Sequence, residues 1–409
     1  MPLTVLLAGG GTTGHISPML AIAEDLRRRE PDSELIMLGT EEGLETTLVP
    51  AAGFELVTID KVPAPRRLDA SLLRFPGRLL GTVRAVSQLI RSRGVDVVVG
   101  VGGYVSTPAY LAARRAGVPI VIHEANARPG LANRLGARLT SPELIGYTFA
   151  RTPLPGEHVG MPMREGIEAV DHRDSSARAA AAARLGLDPK LPTLVVTGGS
   201  LGAQAINEAC RDAMPDLMAA GCQILHITGR GKGEELMAAA REHRDYHVVD
   251  YVDGMENAYA AADLVICRAG AGTVAEVTAV RVPAVYVPLP IGNGEQRLNA
   301  ADAVDAGAAL VIDNADFTGD AVRSTVIPLL GDEQRRSAMT TAAENMDFPR
   351  SAAQTMVQKV YRALERPLPP LPSGAPTPNH SGTAAGAADA AGAAGGRERV
   401  DPSQERGQE

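Results

Sequence analysis

Twice in this chain an apolar run breaks at a glycine turn, and the chain restarts in a helical pattern. TVLLAGGGTTGH occupies residues 4–15 and TLVVTGGSLGAQ residues 193–204. Each half then carries a second such turn after a later apolar run, VVVGVGGYVSTPA at 97–109 and VICRAGAGTVAEV at 265–277. Runs of this kind, among them 4–8, 35–38, 95–99, 120–122, 193–197, 223–227, 264–267 and 284–287, are apolar on both faces and alternate with Ala/Arg/Glu-rich stretches. That is the pattern of parallel strands covered by helices on both sides. The spacing therefore predicts an α/β chain with two Rossmann-like, doubly wound domains facing a cleft. A total of 409 residues exceeds what one ordinary core organises. Pro and Gly interrupt the pattern at 156–166, which sets the expected boundary between domain 1–160 and domain 161–345. A closing helix at 346–366 is expected to pack back on the first domain. From 367 to 409 the chain turns to Pro, Ala, Gly and Ser with few aliphatics, the composition of a disordered tail.

Bulk properties exclude several classes. A net charge of −8 argues against general nucleic-acid binding. The three cysteines, Cys210, Cys222 and Cys267, form no C-x-x-C pair and read as reduced thiols. The N-terminus lacks the basic region of a signal peptide, and no apolar run is long enough to span a bilayer. There is no P-loop, no D-x-D and no His/Cys cluster with metal spacing, so neither cofactor nor metal is expected.

The first loop, Gly9-x-Gly11-x-x-Gly14, has the spacing of the dinucleotide fingerprint, and Glu41 or Glu42 could serve as its ribose-binding acid. Three features point elsewhere. His15 follows the last glycine directly, the second half repeats the turn with Ser200, and Glu276 lies six residues beyond Gly270 in a helical stretch. Glycine turns before helices offer backbone N–H groups to phosphate, and a carboxylate one turn on suits ribose hydroxyls. Together they suggest a nucleotide-sugar site. Metal-free diphosphate departure needs helix dipoles, hydroxyls and a cation, for which Thr12, Thr13, Ser200, Thr273 and Arg164 are the right types. His15 at a helix start is a candidate general base, with Glu124 in the His123-Glu124 pair as its rival. As plain structure, His15 would only orient its loop, Glu276 would only favour the helix dipole, and His123 would be a core histidine.

Seven segments carry a more specific likeness: GGGTTGHISP, VGVGGYVSTPAYLAAR, HEANARPGLANRLGA, VGMPMR, GGSLGAQAIN, RAGAGTVAE and PLPIGNGEQRLNA. In this order, over residues 3–365, the chain resembles the MurG family of glycosyltransferase family 28. The resemblance implies a GT-B fold and inverting transfer of GlcNAc from UDP-GlcNAc to the C4 hydroxyl of undecaprenyl-pyrophosphoryl-MurNAc-pentapeptide (lipid I). It places Thr12, Thr13 and Gly14 near the diphosphate and sugar, Asn126 near GlcNAc, and Arg164 and Ser200 on the diphosphate. The resemblance also implies that Val252 reads uracil through its backbone, that Ala271, Gly272, Thr273, Val274, Ala275 and Glu276 form the phosphate and ribose loop, and that Gln296 binds GlcNAc. Leu201, Gln204 and Gly272 depart from the residues usual in the family. A related UDP-sugar transferase with another acceptor and a hydrolysing nucleotide-sugar epimerase are the alternative readings. An NAD oxidoreductase and a non-catalytic UDP-sugar-binding module are remoter ones.

A lipid-linked acceptor implies work at the cytoplasmic face of the cell membrane, with a cell-wall synthesis complex as a candidate partner. Residues 61–93 suit that surface: Lys61, Arg66, Arg67, Arg74, Arg78, Arg84, Arg91 and Arg93 stand against one acid, Asp69. Leu72, Leu73, Phe75, Leu79 and Leu80 add an apolar patch. Val83, Val86 and Ile90 continue Leu79 at helical spacing and read as core. Arg74→Glu with Arg78→Glu should abolish sedimentation with anionic vesicles, and undiminished sedimentation would refute the anchor.

Overall fold

A computed structural model describes residues 2–62, 70–199, 202–290 and 294–371, leaving aside the side chains of 70–74. Ser200, Leu201, Arg66, Arg67, Asp69, the side chains of Leu72, Leu73 and Arg74, and the tail from 372 onward lie outside the described residues.

Among the described residues, thirteen strands form two parallel sheets. The first contains β1 (Thr4–Ala8), β2 (Glu34–Gly39), β3 (Glu55–Thr58), β4 (Val97–Gly100), β5 (Ile120–Glu124), β6 (Ile145–Tyr147) and β7 (Glu157–His158), in the order β3-β2-β1-β4-β5-β6-β7. The second contains β8 (Thr193–Thr197), β9 (Gln223–Ile227), β10 (Tyr246–Val249), β11 (Leu264–Cys267), β12 (Ala284–Tyr286) and β13 (Ala309–Val311), in the order β10-β9-β8-β11-β12-β13. In both, the strand order reverses at the first strand. The crevice of a doubly wound sheet opens at that reversal, outside the strands' carboxyl ends.

The central strands are sealed on both faces. Val5, Leu7, Val97, Val99 and Val121 join one core layer, and Leu6, Ala8, Val98 and Ile122 the other. Val195, Val265 and Ala284 face one layer of the second domain, while Leu194, Val196, Leu264, Ile266 and Val285 face its opposite. Such strands read as unbroken aliphatic runs because neither face meets water. Helix Ala70–Arg93 buries Val83, Val86 and Ile90 against the first sheet, with Leu79 beside them.

The chain crosses from the first domain to the second between β7 and helix Glu165–Glu168. It returns before helix Ala352–Ala363, and the two crossings touch. Gly160 has φ +81°, and a Cβ there would collide with the Pro349 carbonyl, so only glycine fits. The returning helix inserts Met356, Val357, Val360 and Tyr361 into the core layer of Val97, Val99 and Val121. Lys359, 2% exposed, donates from Nζ to the Glu143 carbonyl at 3.0 Å and to Glu157 Oε2 at 2.6 Å. The first domain thus completes its core with residues that follow the second. Met356→Ala should cost about 2–5 kcal/mol, the range for deleting a large apolar core side chain. Chemical denaturation followed by probes in each domain should show the loss in the first.

Candidate active site

All four glycine turns follow the two central strands of their sheet, β1 and β4 in the first domain and β8 and β11 in the second. Both crevices are therefore lined by backbone that can approach a ligand closely.

In the first domain, Thr12 is the N-cap of helix Thr13–Arg29 but makes no side-chain cap bond. Its Oγ1 instead lies 3.2 Å from His15 Nδ1. Thr12 is exposed, and Thr13, Gly14 and His15 are half-buried. The second glycine turn closes over the ring, so that a Cβ on Gly102 would lie 3.1 Å from His15 Nε2. Burial pushes the imidazole below its ordinary pKa, while the Gly10 carbonyl and the Glu45 charge pull the other way. The net shift favours the neutral ring.

Glu124, 2% exposed, ends β5 with its oxygens engaged. Oε1 accepts from Asn126 N at 2.9 Å, and Oε2 from Gly130 N at 3.0 Å and Asn133 Nδ2 at 2.9 Å. Burial raises its pKa, and these donors oppose the rise. Tyr110, fully buried, donates to Asn133 Oδ1 at 2.7 Å, completing a network that shapes the turn around Asn126. His123 turns away from the crevice and lies 2.9 Å from the Gly160 carbonyl through Nε2. Burial brings its pKa down to about 4.

In the second domain, helix Ala271–Val280 starts at Gly270 with no side-chain cap and no acid in its first turn, so no side chain of its own satisfies its leading N–H groups. A Cβ on Gly272 would meet open space. Glu276 Oε2 accepts the Tyr259 hydroxyl at 2.9 Å. Burial lifts the carboxyl above its ordinary range, while the Tyr259 hydroxyl and the Arg164 charge lower it. Arg164, exposed at the start of helix Glu165–Glu168, is thus brought into the field of Glu276. Val252 is buried in the loop after β10, and Gln296 Oε1 accepts the Leu289 N–H at 2.9 Å.

One side chain absent from the sequence-based expectation ties the halves together. Asn299, with no exposed surface, accepts from Ala127 N at 2.9 Å and donates to Asn126 Oδ1 at 3.4 Å and the Ala269 carbonyl at 3.3 Å. It joins the Asn126 turn of the first domain to the strand end that leads into helix Ala271–Val280. That helix also touches helix Thr13–Arg29 across the boundary. Arg151 adds an ion pair to Asp302 and Asp305. Among the expected site residues, Asn126 is joined through Asn299 to the Ala269 carbonyl, the Arg164 charge acts on Glu276, and the helix that follows Thr12 touches the helix of the 271–276 run.

Two Rossmann-like domains meeting across a crevice lined by glycine turns define a GT-B architecture. The glycosyltransferase family 28 N-terminal domain matches residues 5–144, and the family's C-terminal domain matches residues 193–356. The chain belongs to glycosyltransferase family 28. It is 53% identical over 365 residues to a UDP-N-acetylglucosamine–N-acetylmuramyl-(pentapeptide) pyrophosphoryl-undecaprenol N-acetylglucosamine transferase of Paenarthrobacter aurescens, covering 89% of this chain and 97% of that one. A transferase of the same name from Streptomyces coelicolor is 48% identical over 360 residues, covering 88% and 98%. The crystal structure of Acinetobacter baumannii MurG superposes with a TM-score of 0.71 at 29% identity, over 87% of this chain and 98% of that one. A putative UDP-N-acetylglucosamine 2-epimerase from Listeria monocytogenes shares the fold, with a TM-score of 0.61 at 14% identity and coverage of 90% and 98%.

The Tyr259–Glu276 bond generates a prediction with a definite sign. Tyr259→Phe removes a donor that favours the carboxylate, so the Glu276 carboxyl should titrate at a still higher pH. Carbon-13 NMR of the side chain reads this directly, and an unchanged or lower titration midpoint would contradict the bond.

Proposed function

We infer that this chain transfers GlcNAc from UDP-GlcNAc to the C4 hydroxyl of lipid I, yielding lipid II for peptidoglycan synthesis. The observation that carries the reading is the meeting of helices Thr13–Arg29 and Ala271–Val280. In this reading His15 of one domain faces the uncapped helix start and Glu276 of the other.

The donor lies on the second domain in this reading. Backbone N–H groups at 271–273 and the helix dipole hold its diphosphate, with Thr273, Arg164 and Ser200 adding hydroxyls and charge. Glu276 accepts from the ribose hydroxyls, the Val252 backbone meets uracil, and Gln296 and Asn126 bind the sugar. The acceptor hydroxyl approaches from the first domain beside Thr12, Thr13 and Gly14. His15, with Nδ1 toward Thr12, takes the hydroxyl proton on Nε2 as the oxygen attacks the anomeric carbon. The new C1–O4 bond forms opposite the breaking C1–O bond, so the configuration inverts. The electron pair leaves on the β-phosphate of UDP. Glu124, its carboxylate held by its own loop, positions Asn126 and is the weaker candidate for the base.

The acceptor's lipid brings the first domain to the cytoplasmic face of the membrane as a peripheral protein. Among the described residues no helix is long and apolar enough to cross a bilayer. Leu80, 49% exposed, and the exposed Arg78 stand on helix Ala70–Arg93, where an apolar and basic surface would meet anionic headgroups.

UDP release from UDP-GlcNAc, measured with EDTA present, tests class and substrate together. Release should require a lipid I analogue. Release without acceptor would favour the epimerase reading, and release with an unrelated acceptor a different transferase. His15→Ala should lower kcat by about 10²–10⁴-fold, the usual worth of a general base, with donor affinity retained.

A further inference from the structure

Glu45 is a buried carboxylate outside the chemistry above. It opens the short helix Glu45–Ala51 and has no exposed surface. Oε2 accepts the Gly11 N–H at 2.9 Å, and Oε1 accepts the N–H and the hydroxyl of Thr40, each at 2.9 Å. Backbone walls it in from three segments. A Cβ on Gly10 or on Gly39 would lie 2.6 Å from the Glu45 side chain, and one on Gly43 would collide with it.

This location explains an oddity of the first glycine turn. A turn of this kind before a helix directs its N–H groups at an anion. Here the anion at Gly11 is part of the protein. The Gly11 N–H is already used, and the Glu45 charge acts on His15. The acids that sequence spacing nominated for a ribose, Glu41 and Glu42, are exposed, and Glu42 pairs with Lys61 at 3.7 Å. The acid that matters to the turn comes a few residues later and reaches back into it.

We propose that Glu45 is a positioning residue for the transfer, an internal anion that fixes the 9–14 turn and supplies the negative charge beside His15. The proposal rests on the reading of His15 as the base. Burial pushes the Glu45 carboxyl up, yet the donors from Gly11 and Thr40 outweigh it, so the group stays ionised below the usual glutamate range. Around His15, the neighbours on its own segment are the Gly10 carbonyl and Thr12 Oγ1, and the second glycine turn contributes Gly102 and Gly103. The charge acting on the ring comes from Glu45. Removing it disfavours imidazolium, so the His15 pKa falls.

Glu45→Gln in the full chain tests this. The acid limb of the pH–kcat profile and the imidazole nitrogen-15 titration of His15 should both move to lower pH. The kcat should fall about tenfold or more while donor KM stays within about twofold, the signature of lost transition-state positioning. Glu45→Asp, which keeps the charge, should restore the His15 titration in part. An unmoved His15 titration, or an unchanged kcat, overturns the proposal. If Glu45→Gln does not fold, the wild-type protein decides. The Gly11 amide proton should shift with the titration of a carboxyl below the ordinary glutamate range, and a Gly11 amide blind to that titration overturns the proposal. His15→Ala separates the two readings. Full activity there refutes the base, whereas the His15 titration in Glu45→Gln bears on Glu45 alone.

Discussion

Because every strand of a parallel sheet runs the same way, all its carboxyl ends, and the loops that leave them, gather at one edge. Where strand order reverses, successive helices go to opposite faces and the edge is left open. Both sheets reverse at their first strand, and all four glycine turns leave the strands flanking the two reversals. The crevice, the helix starts that face it and the location of His15 and Glu276 all follow from that single topological constraint. The second constraint is that the two open edges must be held toward one another, which falls to contacts such as Asn299.

Polar groups here are buried at a cost that is offset only when each is satisfied. Glu124, Asn133, Asn299 and Glu45 lie almost wholly out of water, and each has hydrogen-bond partners among backbone groups. An unpaired buried donor or acceptor costs about 1–3 kcal/mol, so these side chains specify loop shape rather than add net stability. His226 plays the same part under the second domain. Its Nδ1 lies 2.9 Å from the Tyr246 hydroxyl and its Nε2 3.0 Å from Asn207 Oδ1, while burial holds its pKa down to about 3. Rigid loops are what a site made largely of backbone N–H groups requires, since those groups cannot be re-aimed by rotating a side chain.

The central strands were legible because two buried faces leave an unbroken aliphatic run. Strands β3, β6, β7, β10 and β13 were not among the runs named from the sequence. They are short, lie toward sheet edges and carry half-exposed positions, which dilutes the apolar signal. The crevice residues nearest the glycine turns, His15 and Glu276, could be nominated because they stand a fixed, short distance after a glycine. Asn299 and Glu45 could not. Their partners lie 172 residues away at Ala127 and 34 residues away at Gly11, and no local pattern records a bond of that span. Ser200 lies outside the described residues, so its proposed diphosphate contact rests on the resemblance and the repeated turn.

Helix Ala352–Ala363 has a consequence for how the chain comes to be folded. The first domain's last strand ends at His158, yet part of that domain's core is supplied by residues beginning at Ala352. At about 5–20 residues per second of synthesis, the gap lasts roughly ten to forty seconds. By its end, the second domain has every residue of its two core layers available and can close. The first must wait with Val97, Val99 and Val121 lacking their cover. Domain order in the sequence is therefore the reverse of the order in which the cores can be completed. The surface at risk in the interim is the face that the returning helix will seal, not the crevice.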